Sequence, residues 1–288
     1  MTATLKTVVL GAAGQLGREF CRQYQGEVVP ITRAEADLSK PEAIQHMLAQ
    51  QEPAVVINCA AYNLVDRAEQ EPSAAFATNA LGVRSLALAA RERGFLLVHF
   101  STDYVFGLAG ERSVPYHEGD APGPVSVYGT SKLAGEYFVR SLAPEHLVIR
   151  TCGLYSRWGT GGKGGNFVET MLRLAREGKP IRVVNDQVLS PSSASEVAGG
   201  AIELLRRGAR GLRHLTNSGH CSWFEFAQAI FQLTGVRADL APTSSAAYGA
   251  PARRPAYSVL ATSHEDTPRL THWRDALAAY LEQRPSNG

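Results

Sequence analysis

The first 150 residues alternate short apolar runs with stretches of helical periodicity, and this alternation limits the fold more than any other feature. The runs TVVLGA (7–12), EVVPI (27–31), AVVINCA (54–60), FLLVHFS (95–101) and HLVIRT (146–151) have strand length and are rich in Val, Ile and Leu. Helical patterns lie between them at 14–24, 41–51, 72–94 and about 127–140. Pro41 stands near a helix start, where its missing N–H is harmless, and Gly94 sits just past a helix end. Apolar strands joined through helices of ten or more residues indicate βαβ units and a parallel sheet buried on both faces. With right-handed crossovers, the expectation is an α/β fold with a doubly wound parallel sheet of Rossmann type. Such sheets bind ligands at the carboxyl ends of their strands.

Beyond residue 150 the pattern loosens. Helices are expected at 166–178, at 193–208 behind Ser/Thr-type capping residues, and at 222–235. A short strand is expected at 181–186, and 241–257 reads as irregular. The Gly-rich stretch 156–166 reads as a loop able to close over a ligand. We therefore expect a cofactor-binding part at 1–150. Residues 151–288 form a smaller, mainly substrate-binding part, with some elements returning to pack on the first.

Charge narrows the function classes. The 29 basic and 27 acidic residues leave a formal charge of +2, which offers no footprint for nucleic acid or an anionic membrane. No apolar stretch reaches the roughly 20 residues of a membrane span. The N-terminus runs straight into the first strand, without room for a signal peptide, so a cytoplasmic protein is expected. Cys21, Cys59, Cys152 and Cys221 form no C-x-x-C pair and read as reduced, mostly buried thiols. No acidic cluster stands out as a metal site.

GAAGQLGREF places Gly11, Gly14 and Gly17 directly after the first strand, at the opening of a helix. That context gives the pattern its meaning. One glycine makes the tight turn, one lets backbone approach a pyrophosphate, and one lets the helix pack on the sheet. The pyrophosphate then meets free N–H groups at the helix start. After the second strand the chain reads ITRAEAD. Arg33 stands about where NAD binders carry an acid, and a cation there suits the 2′-phosphate of NADPH. Glu35 keeps NADH open.

SVYGTSKLAGEY puts Tyr128 and Lys132 four residues apart on one helix face. A free phenol, with a pKa of about 10, is a poor acid at neutral pH, and a nearby ammonium is expected to lower it. STDYVF (101–106) brings polar groups to a strand end. There Thr102 can hydrogen-bond a substrate carbonyl beside Tyr128, so that two donors stabilise a developing oxyanion. Successive side chains alternate faces, so Thr102 rather than Ser101 should point at the site.

Taken together, the glycine loop, NCAAY, STDYVF and YGTSK resemble the extended short-chain dehydrogenases/reductases. Further matches, among them VVINCAAYNLVDRAEQEP, GGNFVETMLRLA, SWFEFAQAIF and RRPAYSVL, make the chain similar over nearly its whole length to the family of dTDP-4-dehydrorhamnose reductases. The resemblance implies NADPH-dependent reduction of the C4 ketone of dTDP-6-deoxy-L-lyxo-4-hexulose, with Tyr128 giving the proton. It places Gly11, Gln15 and Leu16 in the phosphate loop. Asp37, Leu38, Ala60, Ala61 and Tyr62 fall around the cofactor, and Asn79 behind the catalytic residues. Asp103, Tyr104, Asn166 and Arg254 fall where the nucleotide sugar binds. A homodimer, and magnesium at its interface, belong to the family pattern only.

The chain also departs from that pattern. The family commonly reads RTSWVYG where this chain reads RTCGLYS, so Gly153 replaces an aromatic ring. VNDQVLSPSSA lacks the family's PTYA segment, and Asn63 replaces a Thr. These changes touch the pocket and leave another nucleotide 4-keto-6-deoxysugar open as substrate. Related 4,6-dehydratases carry Glu after the Asp of the strand end, and here Tyr104 takes that place. The chain further resembles the regulatory subunit of methionine adenosyltransferase, which keeps the fold and binds NADP, so a non-catalytic binding role is the third alternative.

Overall fold

The structure is a computed structural model and describes residues 5–158 and 165–284. Six strands form its central sheet: β1 (Thr7–Leu10), β2 (Val28–Ile31), β3 (Val55–Asn58), β4 (Leu96–Thr102), β5 (His146–Thr151) and β6 (Gly211–His214). All pairings are parallel, in the order β2-β1-β3-β4-β5-β6. The order reverses between β1 and β3, which opens the ligand crevice at their carboxyl ends.

Alternating side chains divide the sheet into two buried faces. Val8, Val56, Leu97 and Val148 pack with Ile44 and Leu48 of α2 (Pro41–Gln51), Leu86 of α3 (Val83–Arg93) and Val139 of α4 (Val127–Leu142). Val9, Ile57, Val98 and Ile149 pack the other way. They meet Leu16 and Phe20 of α1 (Gln15–Gln23), together with partners from Ala194–Arg206. The period of two along each strand thus places helices on both faces, as the continuous apolar runs required.

The chain's second half adds α5 (Phe167–Arg176), α6 (Ala194–Arg206), α7 (Trp223–Thr234) and α8 (Trp273–Glu282). Helix α6 lies against α1, and β6 extends the sheet. Helices α5, α7 and α8 share a separate core built on Val168, Phe226, Ile230 and Leu277. Ser222 and Glu225 form a reciprocal capping box at the start of α7. Ser193 stands at the cap position of α6 but makes no side-chain capping bond.

Two sequence expectations need correction, and two elements were not foreseen. The helix expected over 72–94 is three abutting segments, Pro72–Phe76, a π-helical turn at Ala77–Gly82, and α3. Gly82 lies against the Leu38 carbonyl, where any side chain would collide, and the wide turn carries Asn79 inward. Residues 241–257 are not wholly irregular. Leu240–Thr243 pairs in parallel with Ile181–Val184, and Ser244 caps a helical turn at Ser245–Tyr248. Strand β6 went unseen because GLRH is short and half polar, and α8 went unseen as well. Of the Gly-rich stretch 156–166, residues 159–164 lie outside the described residues.

Among the described residues no helix is long and apolar enough to cross a membrane. The four cysteines are free thiols, with Cys152 and Cys221 buried.

Helix α4 approaches the π turn through Gly135, where an added Cβ would run into the Asn79 carbonyl oxygen. Gly135→Ala should therefore lower unfolding free energy by about 1–3 kcal/mol, despite the helix preference for Ala. Thermal or denaturant unfolding checks this, and an unchanged or raised midpoint would contradict the tight seating.

Candidate active site

The site begins at the glycine turn. Gly11 has φ +74°, and a Cβ there would lie 2.7 Å from the Ala60 backbone nitrogen. Both conformation and space therefore exclude a side chain. A side chain at Gly17 would strike the Gly11 carbonyl, so α1 can sit close to the turn only with glycine there. Gly14 is the N-cap of α1 and brings no side chain over the helix start. Leu16 anchors the helix in the core, and Gln15 keeps a buried Oε1 without a partner. This cradle of bare backbone at a helix start fits a dinucleotide's diphosphate.

At the end of β2, Glu35 takes both the backbone N–H and the hydroxyl of Thr32, each at 2.7 Å. Arg33 projects into solvent with its side chain 85% exposed and is held by Asp37 at 3.0 Å. Asp37 also accepts the backbone N–H and hydroxyl of Ser39. The acid nearest the strand end thus stabilises its own turn, and the cation remains at the rim. Leu38 is buried.

Thr102 ends β4. Its hydroxyl donates to Asp103 Oδ1 at 3.0 Å and accepts from the Tyr104 N–H at 3.2 Å. Ser101 Oγ is buried without a partner, consistent with alternation of faces. Tyr128 is half-buried on α4, and Lys132, one turn on, is buried with Nζ donating to the Phe100 carbonyl at 2.7 Å.

The electrostatics differ from the sequence expectation. Burial, aided by the charge of Asp103 and partly offset by a hydrogen bond with Thr102, pushes the Tyr128 phenol up to about 12. Lys132 brings no lowering, because its ammonium is turned to the Phe100 carbonyl. Burial instead lowers Lys132 to about 8, against the raising effects of Glu136 and Cys59. Withdrawing water thus outweighs the pair's mutual influence.

Asp103 is buried and accepts from Ser258 Oγ at 2.6 Å and Cys152 Sγ at 3.0 Å as well as from Thr102. Burial raises its carboxyl above the usual range and burial also raises the Cys152 thiol, so that thiol stays a donor. Tyr104 stands edge-on to Tyr128, with ring centroids 5.7 Å apart. Arg254 lies beside the Tyr104 hydroxyl and pairs with Asp66 at 2.9 Å. These side chains gather around one point at the end of β4.

Asn79 supports the group from behind. Its Oδ1 accepts from the Tyr62 N–H at 2.8 Å, and its Nδ2 donates to the Tyr62 carbonyl at 2.9 Å and to Ser131 Oγ at 3.0 Å. Ser131 donates in turn to the Tyr128 carbonyl at 2.8 Å. The Tyr62 hydroxyl is engaged by Glu71. Ala60 donates to Asn58 Oδ1, and Ala61 follows it at the rim.

Asn166 is not brought into this cluster. It caps α5 through the Glu169 N–H, and Nδ2 donates to the Ser156 carbonyl at 2.6 Å. Sequence reasoning missed Asp66, Ser131, Cys152 and Ser258. Only Ser131 carried a local signal, its place between Tyr128 and Lys132. The other three meet the site through tertiary folding. Among the described residues no group of three or more His, Cys, Asp or Glu side chains is placed to hold a metal ion.

A lysine titration checks the electrostatics. With 13C-labelled lysine, one ε-carbon should titrate near pH 8 and vanish in Lys132→Met. Only values near the ordinary 10.4 would contradict the desolvated site.

Known proteins match this chain over nearly its whole length. The chain matches the RmlD substrate binding domain family over residues 5–285. It is 39% identical to a dTDP-4-dehydrorhamnose reductase of Mycolicibacterium smegmatis, covering 94% of this chain and 84% of the relative. It is 38% identical to a probable dTDP-4,6-dihydroxy-2-methyloxan-3-one 4-ketoreductase of Streptomyces antibioticus, covering 98% and 95%. A crystal structure of dTDP-4-dehydrorhamnose reductase from Bacillus anthracis in complex with NADP superposes with a TM-score of 0.90 at 34% identity, covering 97% and 99%. With nearly its whole length matched, the chain belongs to the RmlD substrate binding domain family.

Proposed function

We propose that this protein is an NADPH-dependent reductase that converts dTDP-4-dehydro-L-rhamnose to dTDP-L-rhamnose. The observation that carries the reading is the Tyr128 phenol hydrogen-bonded with Thr102 at the end of β4, with the buried Lys132 ammonium one helical turn on along α4. A bound dihydronicotinamide supplies the hydride. Gly11, Gly14, Gln15 and Gly17 would hold the diphosphate, and the exposed Arg33 would suit a 2′-phosphate, which favours NADPH while NADH stays open.

Tyr128 donates to the ketone oxygen as negative charge develops on it, and Thr102 joins it once its hydroxyl turns from Asp103 to the substrate. A phenol raised to about 12 is fully protonated at neutral pH, the form a reduction requires. Below about pH 8 Lys132 stays charged, so an ammonium stands one helical turn along α4 from the phenol while the proton leaves. Tyr104 stands where a dehydratase needs its base, so the residues support carbonyl reduction rather than elimination. Arg254 suits the substrate's diphosphate.

A second reading, reduction of a different nucleotide 4-keto-6-deoxysugar, draws on Gly153. It has φ +52°, and a side chain there would press on Leu189 and Pro191 with Trp223 close by. The glycine thus stands in close packing where the family pattern carries an aromatic ring. The similarity to the S. antibioticus 4-ketoreductase agrees with this reading.

The test follows NADPH absorbance with dTDP-4-dehydrorhamnose made in situ. The wild type should oxidise NADPH, and Tyr128→Phe should lose about 10²-fold or more in rate. Oxidation only with other 4-keto sugars would favour the second reading. NADPH binding without turnover on any of them would support a regulatory role and overturn the reductase.

A further inference from the structure

One helical turn beyond Lys132 on α4 lies a buried ion pair to which no step above gives a role. Tyr128, Lys132 and Glu136 recur every fourth residue and share one face of α4. Glu136 is fully buried and meets the Arg150 guanidinium in a two-pronged contact, Nε to Oε1 at 2.9 Å and Nη2 to Oε2 at 2.7 Å. Arg150 is also buried, and its guanidinium lies 5.0 Å from the Phe106 ring centroid. A buried ion pair is weak evidence for stability, because apolar residues of equal volume often do as well. Its presence one helical turn from Lys132 therefore asks for another reason.

The strand register supplies one. Arg150 on β5 pairs with Ser101 on β4, and the next rung joins Thr151 to Thr102. The fork thus ties the helix carrying Tyr128 and Lys132 to the rung beside Thr102. A third group holds the arginine. His214 Nδ1 faces the carbonyl oxygens of Tyr116 and Ala261 at 3.0 and 2.9 Å, so it donates there. Nε2 is then left to accept from Arg150 Nη1 at 3.3 Å. Burial keeps this imidazole neutral by lowering it to about 4.

We propose that Glu136 and Arg150 are positioning residues for the reduction, fixing α4 against the end of β4 and setting the charge that Lys132 faces. The inference rests on the reductase reading above. The titratable and charged groups around Lys132 are Glu136 on its own helix, Cys59 beyond β3 and His99 on β4, with Arg150 on β5 behind Glu136 and Tyr128 one turn before it on α4. Glu136 is the anion in this set that opposes the burial of the ammonium. Without the pair, Lys132 loses its proton at lower pH, and the Tyr128 phenol drifts from the Thr102 hydroxyl.

The experiment compares wild type, Tyr128→Phe, the double variant Glu136→Gln/Arg150→Met and the single variant Arg150→Lys, by kcat, KM and pH profile. The double variant removes both charges together, so neither is left buried alone. Its kcat should fall about tenfold to a hundredfold with less change in KM. The alkaline limb of its kcat profile should move to lower pH by about half a unit to one unit. Arg150→Lys keeps the charge and loses the fork, so its kcat should fall while its alkaline limb stays in place. A double variant with wild-type kcat and limb would overturn the proposal. So would a drop in kcat with an unmoved limb, which marks a merely structural role. If the double variant does not fold, Arg150→Lys decides: wild-type kcat there overturns the proposal. A wild type inactive on every 4-keto sugar fails the reductase reading instead, whereas an active wild type, a dead Tyr128→Phe and a normal double variant fail only this inference.

Discussion

The close seating of α4 on the end of β4 is the constraint on which the site depends. Two glycines permit it. A side chain at Gly129 would strike the Tyr104 carbonyl, and one at Gly135 would strike that of Asn79. Between them Ser131 joins Asn79 to the Tyr128 carbonyl. Helix, strand end and π turn thus fit together through backbone contact rather than long side chains. That leaves few soft degrees of freedom between Thr102, Tyr128 and Lys132. The π turn follows from the same demand, since a regular α-helix over 72–94 would not place Asn79 between Tyr62 and Ser131 in this way.

Close packing also sets the electrostatics. With water excluded, the phenol holds its proton and the lysine holds its own less tightly. Asp103 keeps its place through three donors from three parts of the chain, Thr102, Cys152 and Ser258. A carboxyl so enclosed serves as an anchor for the C-terminal segment more readily than as an acid exchanging protons with substrate. Arg254, drawn in by Asp66, brings a cation from the same segment to the rim. The second half of the chain therefore brings Cys152, Arg254 and Ser258 to the end of β4.

Much of this was legible in the sequence because local rules and tertiary demands agree there. The apolar runs are two-faced strands, the three glycines stand where backbone must approach backbone, and the i,i+4 spacing puts Tyr128 and Lys132 on one face. Reading failed where one local pattern hid a tertiary requirement. The π turn lies inside a good helical pattern, and GLRH carries too little apolar character to announce an edge strand of the main sheet. The direction of the Tyr128 shift was missed because spacing tells which charges are near and not how much water is lost. Partners such as Asp66, Cys152 and Ser258 are distant in sequence, and only folding brings them in.

The central claim is that this site delivers hydride to a sugar carbon and a proton to its oxygen. The most direct measurement is product analysis by NMR after turnover with NADPH deuterated at the transferred position. The account predicts one deuterium at C4 of a 6-deoxyhexose and none elsewhere on the ring. Deuterium at another carbon, or product formed without label from the cofactor, would contradict it.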